Sequence, residues 1–328
     1  MNQWQEFITT QTSQALKPDN HLCNLPNLGL LYVGGDDAGD FLQNQLSNDI
    51  HALDANICQI SSASISKGRM YGIFRILQIE GGYILVMPRQ ILGEVQQRLQ
   101  KFILMAKVVM ADISDSFARF SVATQDPADL RDIVAPLAVN EVSQSDSLIC
   151  VRLHSVANTT RLLLLSNSES EAIELWQKLS EKLVLNSEDA WLYDEICAGM
   201  PAVYPQTLEA FVPQMANLDV LDGINFKKGC YPGQEIVART RYLGKLKRRM
   251  FLARLDSDTC PQPGDELTSD PSGKADGSGK VVSAVQVDDH CLMLFVGLID
   301  KAQNNELTLL AQGKNRLTLQ ALPYSLDA

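Results

Sequence analysis

Residues 69–79 and 82–87 read as two strands turning over at Gly81-Gly82, and this hairpin constrains the fold more than any other feature. A turn this tight joins antiparallel neighbours only, because parallel strands need a crossover of a dozen or more residues. Helical spacing is expected at 2–15, 36–46, 91–104, 128–138, 168–184 and 187–199, the last ending at Gly199 with Pro201 beyond. Further strands are expected at 28–33, 57–65, 106–113, 117–124, 147–153 and 160–165. Helices interleaved with hairpins predict an α+β fold with mixed or antiparallel sheets, not a doubly wound α/β one. From Lys247 onward the character changes. Short β-rich segments at 248–255, 279–287, 291–299, 305–310 and 314–321 alternate with turns such as Pro261-Gln262-Pro263-Gly264-Asp265. They predict a small antiparallel β-barrel or sandwich without helices. A chain of 328 residues is expected to form two or three packed units, divided at 1–115, 116–246 and 247–328.

Composition narrows the function. With 45% hydrophobic and 20% charged residues the chain is of the soluble globular kind. Met1 to Glu6 has no basic segment leading into an apolar one, and Leu162-Leu163-Leu164-Leu165 is far short of a membrane span. The expected location is the cytoplasm, with no membrane partner. The 7 cysteines are odd in number, scattered, and form no CxxC pair. A zinc ribbon, a thioredoxin motif and a disulfide framework are therefore not supported, and reduced thiols are expected. His21, His51, His154 and His290 lack ligand spacing, so no metal site is expected. Gly273 to Lys280 fails as a phosphate loop because Val281 stands where Ser or Thr is required. Gly277-Ser278-Gly279 fails as a dinucleotide fingerprint because Val282 replaces the third glycine.

A net charge of −11 argues against broad nucleic-acid binding. The charge is uneven, however. Lys227, Lys228, Arg239, Arg241, Lys245, Lys247, Arg248 and Arg249 crowd one stretch against the single acid Glu235, a solvated face or a local attractor for an anion. Within it, Tyr231-Pro232-Gly233-Gln234 carries Pro and Gly at the second and third positions of a type II turn, and Gln234 can begin a helix. Gly229 is expected to take a positive φ or to allow a close backbone approach. Cys230, just ahead of a helix start and near Lys227, Lys228 and Arg239, sits where a thiol pKa is lowered, unless it is simply a small buried hydrophobe. Trp191, on the helix before Ala198-Gly199-Met200-Pro201, is a core residue or a platform for a planar heterocycle.

The run Phe226-Lys227-Lys228-Gly229-Cys230-Tyr231-Pro232-Gly233-Gln234-Glu235-Ile236-Val237-Ala238-Arg239 resembles the signature of the YgfZ family, relatives of the glycine-cleavage T-protein. The likeness extends through Ala198 to Pro201, Pro213 to Leu218, Phe41 to Leu46 and Leu322 to Leu326. The resemblance implies a T-protein-like ring of three subdomains closed by a C-terminal β-barrel, with tetrahydrofolate at the centre. It implies support of iron–sulfur enzymes, among them tRNA methylthiotransferases met indirectly or transiently. Cys230 maps onto the family's critical cysteine and Trp191 onto a folate-contacting Trp; Lys228, Gly229, Tyr231, Gly233, Gln234, Glu235 and Arg239 complete the motif. Two departures stand out. Leu28 aligns with a second family Trp, and the stretch Lys67 to Phe74 lacks the acids that T-proteins carry near the folate. Without a carboxylate to steer proton transfer, aminomethyl transfer is the weaker alternative. Direct tRNA binding through the basic stretch is weaker still.

Overall fold

The run Leu162 to Leu165 shows how this chain builds its layers. Successive side chains on a strand point to opposite faces. Leu162 and Leu164 accordingly enter a core with Phe120 and Trp176, while Leu163 and Leu165 enter another with Leu30 and Val86. Such a strand is buried on both faces, which is why it reads as continuous leucine. The structure, a computed structural model, describes residues 3–326 apart from 15, 17–19, 132, 157, 243, 245 and 313–316. Lys245 and the first residues of the strand expected at 314–321 lie outside the described residues.

Among the described residues, three sheets form the frame. The first has five strands in the order Cys58–Ser64, Met70–Ile79, Gly82–Pro88, Leu28–Gly34, Val109–Asp112, all antiparallel. The second has six: Val184–Asn186, His21–Asn24, Ala118–Thr124, Thr160–Ser166, Leu148–Arg152 and Val142–Gln144. Its first pair is parallel and the rest antiparallel, so it is a mixed sheet. The third, C-terminal sheet is antiparallel, six-stranded and curled as a half-barrel. The fold is α+β, as the hairpin requires.

One apolar core joins the first sheet to the third through residues of the intervening 196–237 segment, among them Ile196, Phe211, Leu218 and Val237. A second lies between the first and second sheets and contains Trp191. The N-terminal helix Gln3–Thr9 and the helix Glu169–Ser180 cover the far side of the second sheet, where Trp4 meets Phe120 and Trp176 at ring separations of 5.5 Å. No helix among the described residues is long and apolar enough to cross a membrane.

Several expectations change. The N-terminal helix stops at Thr9, where Thr9 and Thr10 hydroxyls donate back to the carbonyls of Glu6 and Phe7. The helix expected at 128–138 is a single 3-10 turn, Pro127–Leu130, in keeping with Pro136 further on, which cannot join a helix interior. The C-terminal unit does carry a helix, Ile299–Gln303. Cys260 and Cys291 form a disulfide with Cα atoms 5.6 Å apart, which corrects the expectation that all thiols are reduced. Residues 31 apart carry no spacing signature, so only the folded register brings them together.

The glycine that the motif turn needs is Gly233, not Gly229. Gly233 has φ +85° at the third position of the type II turn, and Gln234 N–H closes the turn on Tyr231 carbonyl at 3.2 Å. A Cβ on Gly233 would lie 2.7 Å from Gly68 Cα, while one on Gly229 would meet nothing within 4 Å. Gly68, itself at φ +71°, belongs to the turn that leads into strand Met70–Ile79. The two turns press together because neither has a side chain. Gly233→Ala is therefore expected to lower unfolding free energy by about 2–4 kcal/mol, from backbone strain plus overpacking. Gly229→Ala is expected to change it by less than about 0.5 kcal/mol. Urea unfolding of both variants checks this, and equal losses would contradict the pairing of the glycines.

Candidate functional site

The helix Asp189–Cys197 forms one wall of a cavity of about 260 Å³. Facing it are Ile73, Phe74 and Arg75 from strand Met70–Ile79, and Leu28 at the start of strand Leu28–Gly34. The helix itself presents Trp191 and Glu195, with Glu188 just ahead of it. The helix stops in the way its sequence foretells. Gly199 takes φ +65°, and Met200 N–H donates to Glu195 carbonyl at 2.9 Å, the long-range bond of a glycine-terminated helix end.

A charged cluster holds this helix in place. Arg75, from the first sheet, donates to both oxygens of Glu195 at 2.9 and 2.7 Å. Arg161, from the second sheet and only 2% exposed, donates to Glu195 Oε1 and to Asp194 Oδ2, each at 3.0 Å. Both guanidiniums lie over the Trp191 ring, 5.6 and 5.4 Å from its centroid. The ring is thereby fixed by cation–π contacts as well as by packing. His21, fully buried, places Nε2 3.2 Å from Asp194 Oδ2, at ion-pair distance though outside hydrogen-bond alignment.

Cys230 is not among the residues lining this cavity. It is the exposed free thiol, whereas burial pushes Cys23, Cys58 and Cys150 up to about 12 and Cys197 up to about 11. Its loop is pinned on both sides. Asn225 Oδ1 accepts the backbone N–H groups of Lys227 and Lys228 at 2.8 and 3.0 Å. The Lys228 ammonium, two residues before the thiol, donates to the carbonyls of Gln43, Leu46 and Asn48 at 2.5, 2.6 and 2.9 Å. Burial pushes this ammonium down to about 8. Three carbonyls, one for each of its N–H bonds, favour the charged form. Its Nζ also lies 5.3 Å from the Tyr231 ring centroid. On the other side, Gln234 Nε2 reaches the carbonyls of Lys228 and Gly229 at 3.4 Å, and Gly233 rests on Gly68. Glu235 and Arg239 lie exposed on the helix Gln234–Tyr242.

The structure thus divides the residues that the sequence singled out. Trp191 and Leu28 share the cavity; Cys230 and its motif neighbours form an arch outside its lining. Among the described residues, none of the basic stretch lines the cavity, where Arg75 is the one Lys or Arg beside Glu188, Asp189 and Glu195. Arg249 is a structural residue, paired with Asp219 at 2.5 and 3.0 Å, and Arg248 donates to Gly277 carbonyl. The outlying segments of the family likeness also meet. Tyr324 hydroxyl donates to Gly199 carbonyl at 2.7 Å, Asn217 Nδ2 donates to that hydroxyl at 3.3 Å, and the carbonyls of Gln43, Leu46 and Asn48 cradle Lys228.

Sequence reasoning missed Arg75, Arg161, Asp194, Glu195 and Glu188. One signal was present: Arg161 heads a run of four leucines, and Arg75 interrupts an apolar strand. A charge inside a buried strand needs a partner.

No family model matches the chain. Among solved structures it superposes on the glycine cleavage system aminomethyltransferase T of Bartonella henselae with a TM-score of 0.67. That match covers 93% of this chain and 86% of the other at 15% identity, so the chain has the aminomethyltransferase T fold. Two sequence relatives carry the name tRNA-modifying protein YgfZ. The one from Yersinia enterocolitica is 30% identical over 309 residues, 93% of this chain and 92% of the relative. The one from Yersinia pseudotuberculosis is 30% identical over 308 residues with the same coverage. The chain belongs to the YgfZ family.

Glu188 provides a test of the site's electrostatics. Burial raises its carboxyl above the ordinary 4.5, against the lowering effect of hydrogen bonds from Asn27. A raised folded value means that the folded chain holds the proton more tightly. The group's stabilising contribution is therefore full below the unfolded value and is lost as pH rises through the folded one. Glu188→Gln is expected to melt higher than wild type at neutral pH, with the gap closing as pH falls towards 4.5. Thermal melts across that range check it; a gap that widens in acid would contradict it.

Proposed function

We propose that this chain is a cytoplasmic tetrahydrofolate-binding accessory protein that supports iron–sulfur enzymes and tRNA modification, with Cys230 as its critical thiol. The observation that carries the reading is the cavity of about 260 Å³ beside Trp191. Its volume falls below the roughly 300–1,000 Å³ of whole-ligand pockets, so it suits a bicyclic head with the remainder outside. Leu28, Ile73, Phe74 and Trp191 offer apolar surface to a flat ring, and Glu188 and Glu195 offer acceptors to its N–H groups. The residues present fit a pterin. Bound tetrahydrofolate would supply nitrogens that carry one-carbon units.

The relatives' name, tRNA-modifying protein, supports the role in tRNA modification. Aminomethyl transfer is disfavoured, because strand Met70–Ile79 contributes Ile73, Phe74 and Arg75 to the cavity and no acid. The carboxylates that the other wall supplies are engaged, Glu195 by Arg75 and Arg161 and Glu188 by Asn27. A direct tRNA platform is disfavoured too, since Arg248 and Arg249 are engaged within the fold.

Calorimetric titration with tetrahydrofolate tests the reading. Wild type is expected to bind, and Trp191→Leu to bind about tenfold more weakly, the scale of one aromatic contact. Cys230→Ser is expected to bind as wild type does, yet to fail in restoring tRNA methylthiolation to cells lacking the gene. Absence of folate binding, or full restoration by Cys230→Ser, would overturn the proposal.

A further inference from the structure

The first sheet is covered at one edge and open at the other. At strand Cys58–Ser64, Ala63 bridges to Leu46, and Cys58 N–H donates to Asn140 carbonyl at 2.7 Å. Strand Val109–Asp112 pairs with Leu28–Gly34 on one side and, among the described residues, with no strand on the other. Its Val109, Ala111 and Asp112 are exposed. An open edge is a template for another chain, and proteins commonly guard it with Lys, Pro or a bulge. Residues 109–112 include neither Lys nor Pro, and their register with Leu28–Gly34 is continuous. Their one charge, on Asp112, is turned back on Ser114, accepting from its N–H at 2.9 Å and from its hydroxyl.

The loop leading into this edge is apolar and faces outward. Phe102 is 52% exposed, Leu104 89%, Met105 97% and Val109 60%. Leu104 has φ +44°, a left-handed conformation that a leucine takes only at a cost in backbone energy. Single exposed apolar side chains are ordinary, but several gathered beside an unpaired strand mark a surface for another protein.

The register of the edge identifies its occupant. Ile113 N–H donates to Leu30 carbonyl at 3.0 Å, and residues along an antiparallel strand alternate in the side to which their backbone groups point. Val109 and Ala111 therefore face Leu28–Gly34, while Met110 and Asp112 turn their N–H and C=O groups outward. Met110 carbonyl accepts from Gln96 Nε2 at 3.3 Å and keeps a second lone pair. We propose that the occupant is a second copy of this chain, paired edge to edge across a two-fold axis at Ala111. Met110 then exchanges hydrogen bonds with Asp112 of the second copy, and Asp112 with Met110 of the second copy, joining two five-stranded sheets into one. The same register sets Lys107 opposite Asp115 of the second copy, an attractive pair on each side of the axis. Lys107 is paired with Asp36 at 3.0 Å between exposed side chains, a weak tie that it can leave. Asp115 is exposed and held by Arg89 at 2.7 and 2.6 Å, and a carboxylate has about four acceptor positions. Half-buried Ile113 and Phe117 lie at that same end and receive the apolar loop. The pairing does not depend on what fills the cavity beside Trp191.

Sedimentation velocity of the full chain from about 1 to 200 µM tests the proposal, since a short ladder with a small apolar patch gives a dimer of about micromolar Kd. Wild type is expected to pass from monomer to dimer across that range. Leu104→Asp puts a charge at the exposed tip, in a residue type that tolerates positive φ, and is expected to melt as wild type does. It is expected to weaken the dimer by about tenfold or more. Lys107→Asp sets like charges opposite each other and is expected to weaken it by about tenfold. Adding Asp115→Lys to Lys107→Asp restores opposite charges, and is expected to bring the dimer back to within about threefold of wild type. A monomer at every concentration would overturn the proposal. So would a dimer that Leu104→Asp leaves intact, or a double variant no tighter than Lys107→Asp alone.

Discussion

The Glu195 carboxylate, held by Arg75 from one sheet and Arg161 from another, is the interaction on which the rest of the structure depends. Burying charge is unfavourable unless each group is paired and hydrogen-bonded, and breaking such a pair leaves one charge stranded. Here two guanidiniums meet the carboxylates of Asp194 and Glu195 within one cluster. The helix Asp189–Cys197 is tied to both sheets by it. Because Trp191, Glu195 and Glu188 ride on or beside that helix, the cavity's dimensions follow from the ion cluster. The helix end follows as well, since Tyr324 from the C-terminal tail closes on Gly199.

The cavity and the thiol are built by different means. Charge pairing between layers makes the first, whereas backbone fit makes the second. Lys228 fills a cradle of three carbonyls, and the Gly68 and Gly233 turns pack where no side chain fits. The thiol is presented outward on a pinned arch rather than into the cavity lining. In the proposed function this means that a folate ligand and the partner of the thiol approach through separate surfaces. The acid missing from Lys67 to Phe74 agrees with such a division, for the turn that would carry it instead braces the arch through Gly68.

Much of the frame was legible because its signals are local. Hairpin strands, the type II turn at Tyr231 to Gln234, the helix after it and the glycine stop at Gly199 each rest on residues within one turn of one another. What escaped is non-local. Strands His21–Asn24 and Val184–Asn186 are too short to show a period, and they are defined by pairing with distant strands, the first with Val184–Asn186 and with Ala118–Thr124. Arg161 reaches Asp194 over 33 positions and Arg75 reaches Glu195 over 120, so no window of sequence contains both partners. Cys260 and Cys291 illustrate the same limit. Trp191 and Cys230 were both legible as unusual residues, but their separation into two surfaces is a property of the fold alone.

The most direct test is a crystal structure of the protein grown with tetrahydrofolate. The bicyclic ring is expected in the cavity walled by Leu28, Phe74 and Trp191, hydrogen-bonded to Glu188 or Glu195, with Arg75 and Arg161 still on Glu195. A ring bound at the Cys230 arch, or a cavity left without ligand at saturating folate, would contradict it.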